Sequence, residues 1–219
     1  MAQITLDDGL PLAPPTVVQP AGAPDFTGRG EADFKAGRYS AAVQNWRHAL
    51  VDEPQNGGIV LMLSQALLQI GRYDEAAGAA QAGLRMLPPD KWGTVVANYK
   101  ELYGNIQDYT NQLKIVEKAR DAKQDDPAIH FLLGYHFGFL GYAKHAVKEL
   151  DKVIELEPKD DMAVKLRDRF AAKLGEAGPA KPPAPSAADE KPAASEKPAT
   201  EPPPAEKPAG GQSDAGKPI

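Results

Sequence analysis

The sequence repeats itself at an interval of 34 residues, and this repetition constrains the fold more than any other feature. A segment that begins at Gly37, GRYSAAVQNWRHALVDEP, recurs from Gly71 as GRYDEAAGAAQAGLRMLP. A third copy, GYAKHAVKELDKVIELEP, begins at Gly141. Periods of roughly 20–50 residues are typical of solenoids, in which each unit buries its apolar face against the next unit.

Each copy has the residue pattern of two antiparallel helices joined by a tight turn. Glycine stands at the turn, where a positive φ is often needed. Apolar residues then recur at helical spacing, and a small residue lets the two helices approach closely. Proline ends the second helix. The small residues are Ala42, Ala76 and Ala146, and the prolines are Pro54, Pro88 and Pro158.

These copies resemble the tetratricopeptide-repeat (TPR) family, whose repeat is 34 residues long. The resemblance implies an all-α, right-handed helical solenoid of about four helix-turn-helix repeats, with a C-terminal capping helix and disordered termini. The repeats would span about 23–56, 57–90, 93–126 and 127–160, and the capping helix 161–175. Together they define a TPR domain over residues 26–175.

The third unit departs most from the repeated pattern. It has Gln107 in place of the turn glycine and Gln112 in place of the small crossing residue. Its remaining aromatic and apolar residues still predict two helices, at roughly 92–104 and 108–123.

Both ends of the chain have a composition that does not build a core. Sixteen of the 21 prolines lie before residue 26 or after residue 175, and EKPA recurs three times after residue 189. We expect a disordered or extended segment over 1–25 and a disordered Pro/Ala/Lys/Glu-rich tail over 176–219. The tail could serve as a plain spacer or as a proline-rich ligand, and the sequence leaves both interpretations open.

The charge distribution excludes some classes of partner. The net charge is −5, of which the first 25 residues carry −3 and the tail −2, so the middle is neutral. Nucleic acids and anionic membranes favour a basic surface. No apolar run reaches the roughly 20 residues that cross a bilayer, and the N-terminus lacks the regions of a signal peptide. We therefore expect no nucleic-acid binding and no membrane insertion, and favour the cytoplasm.

The sequence shows no pattern of catalytic or metal-binding residues. It has no cysteine, and its four histidines have no partners at zinc-ligand spacing. Phosphate-loop, nucleophile-elbow and zinc-protease motifs are absent. We therefore predict that the protein is not an enzyme and needs no cofactor.

The TPR resemblance implies a concave surface, lined by the first helix of each unit, that binds a peptide. The candidate groove residues are Phe34, Leu61, Gln65, Leu68, Glu101, Phe131, Tyr135 and Phe139. The last three are aromatic and lie at i, i+4 and i+8, opposite the expected core stripe. They could grip a peptide, or they could contact the capping helix or the preceding repeat.

Two further features bear on the partner. Glu31 and Glu101 would favour a partner with some basic character. The Lys, Asn and Arg clamp by which chaperone-binding TPR domains hold a C-terminal carboxylate is not supported at the comparable positions, which are Thr27, Glu31, Leu61 and Ala97. The resulting hypothesis is a non-catalytic adaptor that binds a protein or peptide. The alternatives are a self-assembling, homo-oligomeric module and an accessory domain of a larger chain.

Overall fold

The computed structural model describes residues 25–176, which form helices joined by short turns and contain no strand. The helices are α1 Phe26–Lys35, α2 Tyr39–Asp52, α3 Gly57–Gln69, α4 Tyr73–Met86, α5 Thr94–Ala97, α6 Tyr99–Leu102, α7 Ile106–Ala122, α8 Pro127–Phe139, α9 Ala143–Leu156 and α10 Asp161–Glu176. A short 3₁₀ turn, Pro89–Lys91, follows α4. The predicted all-α solenoid is confirmed. The interpretations of residues 1–24 and 177–219 lie outside the described residues.

Three helical hairpins, α1/α2, α3/α4 and α8/α9, share the predicted glycine turn. Gly37, Gly71 and Gly141 have φ values of 73°, 75° and 91°. In this left-handed conformation, the amide that follows each glycine bonds to a carbonyl in the last turn of the preceding helix. A side chain with a Cβ would strain the backbone there.

The helices of each hairpin cross at the predicted small residues. Ala42, Ala76 and Ala146 are completely buried. Larger residues beside them, among them Trp46 and Leu150, are also completely buried and complete the contact between the helices. The repeated pattern thus accounts for the geometry of the three hairpins.

The third unit has a different geometry. Its first helix, expected as one element over roughly 92–104, consists of two four-residue helices, α5 and α6, which break at Asn98. Its second helix begins at Ile106, earlier than expected, because the Asn105 side chain accepts a hydrogen bond from the Gln107 amide and caps it there. Gln107 therefore lies inside α7 and not at a turn.

This difference changes how the units stack. Helix α4 packs directly against α8, so the fourth unit rests on the second. The short helices α5 and α6 contact α1, α3 and α8, and α7 packs against α8. We call the surface formed by α1, α3 and α8 the inner face, and residues 92–105 the inner segment, since they lie on that face.

Helix α10 closes the array at its C-terminal end. Its apolar stripe of Met162, Leu166 and Phe170 is buried against α9, as the four-residue spacing predicts. At its start, Arg85 of α4 donates to Asp161 over 2.8 Å. Among the described residues, no helix is long and apolar enough to cross a membrane.

Candidate protein-binding surface

The predicted groove residues lie on the inner face or on the inner segment, but most of them are covered. Six are at most 1% exposed, namely Phe34, Leu61, Gln65, Leu68, Phe131 and Tyr135. Phe139 is half-buried and Glu101 is exposed. Most of the predicted groove residues are thus buried within the protein itself.

One covered position is Phe34, at the end of α1. The ring of Tyr103 from the inner segment meets the Phe34 ring edge-on, with the centroids 4.8 Å apart. The Tyr103 hydroxyl accepts a hydrogen bond from Gln69 Nε2 in α3 over 2.9 Å. Burial raises the pKa of Tyr103 above its usual value. This one side chain therefore bridges the inner surfaces of the first two units.

The backbone of the inner segment also approaches α1 closely. A Cβ placed on Gly104 would lie 2.1 Å from the main-chain oxygen of Lys35, which is impossible without a shift. Only glycine allows this approach.

The aromatic run on α8 packs within the molecule. The Tyr135 hydroxyl donates to the Trp92 main-chain oxygen over 3.0 Å, and the Phe139 ring meets Phe170 of the capping helix at 5.1 Å. Phe131 is 1% exposed. Tyr135 therefore contacts the preceding unit and Phe139 contacts the capping helix.

Tyr109 and His136 form a buried polar pair where α7 meets α8. The Tyr109 hydroxyl and His136 Nδ1 are 2.8 Å apart, and the Tyr99 ring stacks on the Tyr109 ring with the centroids 4.5 Å apart. Burial lowers the pKa of His136 to about 3, so the imidazole is neutral at pH 7. His136 Nε2 is buried and has no hydrogen-bond partner.

Gln65 has an unusual environment at the centre of the inner face. It lies on α3 between Met62 and Gln69 and is 1% exposed. Neither its Nε2 nor its Oε1 has a hydrogen-bond partner. A buried amide without partners costs about 1–3 kcal/mol, so Gln65 destabilises the folded state in this environment.

An open cleft of about 240 Å³ remains beside the inner segment. Its apolar lining comes from Met62, Val95 and Leu102, and its polar rim from Glu31, Lys35, Thr94, Asn98 and Glu101. Glu31 and Glu101, the two acidic residues that the sequence placed at the groove, thus border the same accessible space.

A second polar cluster lies where α7 ends and α8 begins. Glu149 is 4% exposed and accepts hydrogen bonds from Arg120 over 2.7 Å and from His130 Nδ1 over 2.6 Å. His130 Nε2 lies 2.9 Å from the Gln124 main-chain oxygen. These bonds tie α7, α8 and α9 together. Within residues 25–176, no group of three His, Asp or Glu side chains could hold a metal ion.

Sequence reasoning missed several residues that shape this surface. Tyr99 and Tyr103 are among the aromatic residues from which the sequence predicts only the helices of the third unit, and Gln112 is predicted only as an irregular crossing residue. The sequence signal that could have indicated a different geometry is that this unit lacks both the turn glycine and the crossing alanine.

Comparison with known proteins gives matches of two kinds. The family model described as "Tetratricopeptide repeat" matches residues 27–91. The first TPR domain of Spaghetti (RPAP3), bound to the HSP90 peptide SRMEEVD, is 14% identical, with 68% of this chain and 93% of that chain covered and a TM-score of 0.31. The second TPR domain of human RPAP3, in complex with the HSP70 peptide SGPTIEEVD, is 17% identical. The match covers 67% of this chain and 92% of that chain, with a TM-score of 0.31.

A structure of MamA (AMB-1) is 22% identical, with 68% of this chain and 81% of that chain covered and a TM-score of 0.31. Comparison with curated proteins gives no match. Similarities at this level carry no information about a partner. The family match identifies residues 27–91 as tetratricopeptide repeats, and the hairpin of residues 127–156 shares their turn and crossing geometry.

Proposed function

We propose that this protein is a non-catalytic adaptor that binds a segment of a partner protein on its inner face. The observation that carries the proposal is the pair of unpartnered amide atoms of Gln65. Buried polar groups in native proteins are nearly always hydrogen-bonded, so a buried side chain with both its donor and its acceptor unpaired, as in Gln65, calls for an explanation. A bound peptide offers main-chain N–H and C=O groups, which match the acceptor and donor of an amide side chain.

The surroundings of Gln65 support a peptide as the ligand. The buried side chains of α1, α3 and α8 are mostly aromatic and aliphatic with a small number of polar groups, and this composition is common at sites that anchor a peptide. TPR domains as a class act in protein–protein interaction. The proposal assigns that general role to the inner face.

The accessible cleft indicates which residues of a partner would fit. Glu31 and Glu101 border it, and neither forms an ion pair within the described residues, whereas its floor contains Met62 and Leu102. A lysine or arginine side chain combines an apolar stem with a cationic end and suits such a cleft. The partner segment therefore carries basic residues beside apolar ones.

A substitution at Gln65 separates binding from folding. In the Gln65→Leu variant an apolar group of similar size replaces the unpartnered amide, so the variant should be at least as stable as the wild type. It should nevertheless lose the partner. The measurement is capture of cellular proteins on the immobilised full chain, with urea unfolding of the same samples.

The matched control is Gln44→Leu, which places the same substitution at an exposed site on α2. The control should retain every partner that the wild type retains. Retention of the partner by Gln65→Leu would contradict the proposal, and capture of nothing but copies of this chain would favour self-assembly instead.

A further inference from the structure

The inner segment packs on the inner face in the way that a separate bound peptide would. It belongs to neither helix of a hairpin, because α4 packs on α8 and leaves residues 92–105 outside the stack of units. Its contacts with the inner face are made by aromatic rings, main-chain groups and one glycine.

The aromatic contacts centre on Tyr99 and Tyr103, which are four residues apart. The Tyr103 ring lies against Phe34 and its hydroxyl bonds to Gln69, both on the inner face, whereas Tyr99 stacks on Tyr109 of α7, the helix that packs against α8. Two rings spaced by four residues recur on one face of a helical turn. This pair is the part of the segment that another peptide could reproduce.

Other features make the inner segment replaceable. Helices α5 and α6 have four residues each, and neither has a side-chain cap. Helices this short are marginal in isolation and depend on their packing. On α3, one of the helices of the inner face, the amide of Gln65 has no hydrogen-bond partner. The segment thus covers the inner face without satisfying all of its polar groups.

We propose that the inner segment is a built-in occupant of the binding face, displaced by a partner segment of similar chemistry. That chemistry is a short amphipathic stretch with two aromatic rings at i and i+4, which takes the places of Tyr99 and Tyr103. This inference rests on the proposed function, since it concerns the same face and adds the partner's motif and the competition that regulates access.

The first test uses a fluorescent synthetic peptide with the sequence of residues 91–105, KWGTVVANYKELYGN. It is titrated into the full-length wild type and into a Tyr99→Ala/Tyr103→Ala variant. An attached segment competes at an effective concentration near millimolar, so we expect the variant to bind the peptide at least about tenfold more tightly. A control peptide with alanine at both tyrosine positions should bind neither protein.

Equal affinity for the two proteins, or binding that does not depend on the peptide's tyrosines, would overturn the inference. The peptide needs no cellular partner, so this outcome is independent of the Gln65→Leu experiment. If the protein captures a partner in a Gln65-dependent way but does not bind the peptide, the inference about the inner segment is wrong and the proposed function is unaffected.

A second measurement avoids the risk that the double variant unfolds locally. Lys35 and Asn98 are exposed and border the same cleft, on α1 and on the inner segment respectively. The chain has no cysteine, so Lys35→Cys/Asn98→Cys introduces two unique thiols that a disulfide-containing bismaleimide can join. The cross-linked protein should bind the peptide at least about tenfold more weakly than the same protein after reduction. Unchanged binding would show that the segment need not move, and would overturn the inference.

Discussion

The side-chain amide of Gln112 in α7 donates a hydrogen bond to the main-chain oxygen of Leu68 near the end of α3, over 2.7 Å. In the three regular hairpins the equivalent position is an alanine that contacts the other helix of the same unit. Here the residue reaches the inner face of a different unit, 44 positions earlier in the chain. This bond therefore marks the point where the third unit leaves the repeated pattern.

Removal of the Gln112 bond should weaken the attachment of α7. Gln112→Leu keeps the size of the side chain but loses a buried hydrogen bond, so we expect the free energy of unfolding to fall by about 1 kcal/mol. Urea denaturation followed by circular dichroism measures the change. The exposed Gln107→Leu on the same helix is the control and should alter stability by less than about 0.5 kcal/mol. A similar loss in both variants would show that the buried bond contributes nothing specific.

A methyl group at Gly104 should force the inner segment away from α1. Because the new Cβ would clash with the Lys35 main-chain oxygen, Gly104→Ala should lower the free energy of unfolding by about 1–3 kcal/mol. Hydrogen exchange should accelerate in residues 92–105 before it accelerates in α3 or α4.

The control for this change is Gly78→Ala in α4, where a Cβ would meet no atom within 4 Å. That substitution should stabilise the helix by up to about 1 kcal/mol, since alanine has the higher helix propensity. Unchanged exchange in Gly104→Ala would contradict the close approach to Lys35.

His136 should make the protein sensitive to mild acid. The pKa of its imidazole is about 3 in the folded chain, against 6.5 for an unperturbed histidine. Between these values the unfolded chain binds a proton that the folded chain does not, so the free energy of unfolding decreases as the pH falls. The loss approaches about 1.4 kcal/mol per pH unit below pH 6.5.

The measurement is urea unfolding from pH 7 to about pH 5, above the range in which most carboxylates titrate. His136→Phe retains a ring but cannot titrate, so the slope should decrease in this variant. His145→Gln, at an exposed site, should leave the slope unchanged. An equal slope in all three proteins would rule out His136 as the cause.

The buried tyrosines should resist ionisation. Burial raises the pKa of Tyr103, Tyr109 and Tyr135 above the usual value of 10. Above pH 10 the unfolded chain releases protons that the folded chain retains, so stability falls as the pH rises. Ultraviolet titration of tyrosinate should show these three of the seven tyrosines ionising only when the chain unfolds. If all seven ionised while the helical signal persisted, the three side chains would not be buried as described.

Much of the fold could be predicted because the information is local and repeated. The glycine turns, the crossing alanines and the stripe of Met162, Leu166 and Phe170 are each defined by residues a few positions apart. Local patterns of this kind report which face of a helix is apolar. They do not report which of several apolar surfaces will cover that face.

The sequence by itself determined three glycine-turned hairpins with the TPR pattern and a capping helix. The tertiary structure alone decided that α4 packs on α8, that the inner segment covers the inner face and that Gln65 lies buried without a partner. These outcomes depend on contacts such as that of Tyr135 with Trp92, 43 residues apart. The third unit's apolar residues would suit either a regular repeat or this arrangement, and only the sum of such distant contacts distinguishes the two.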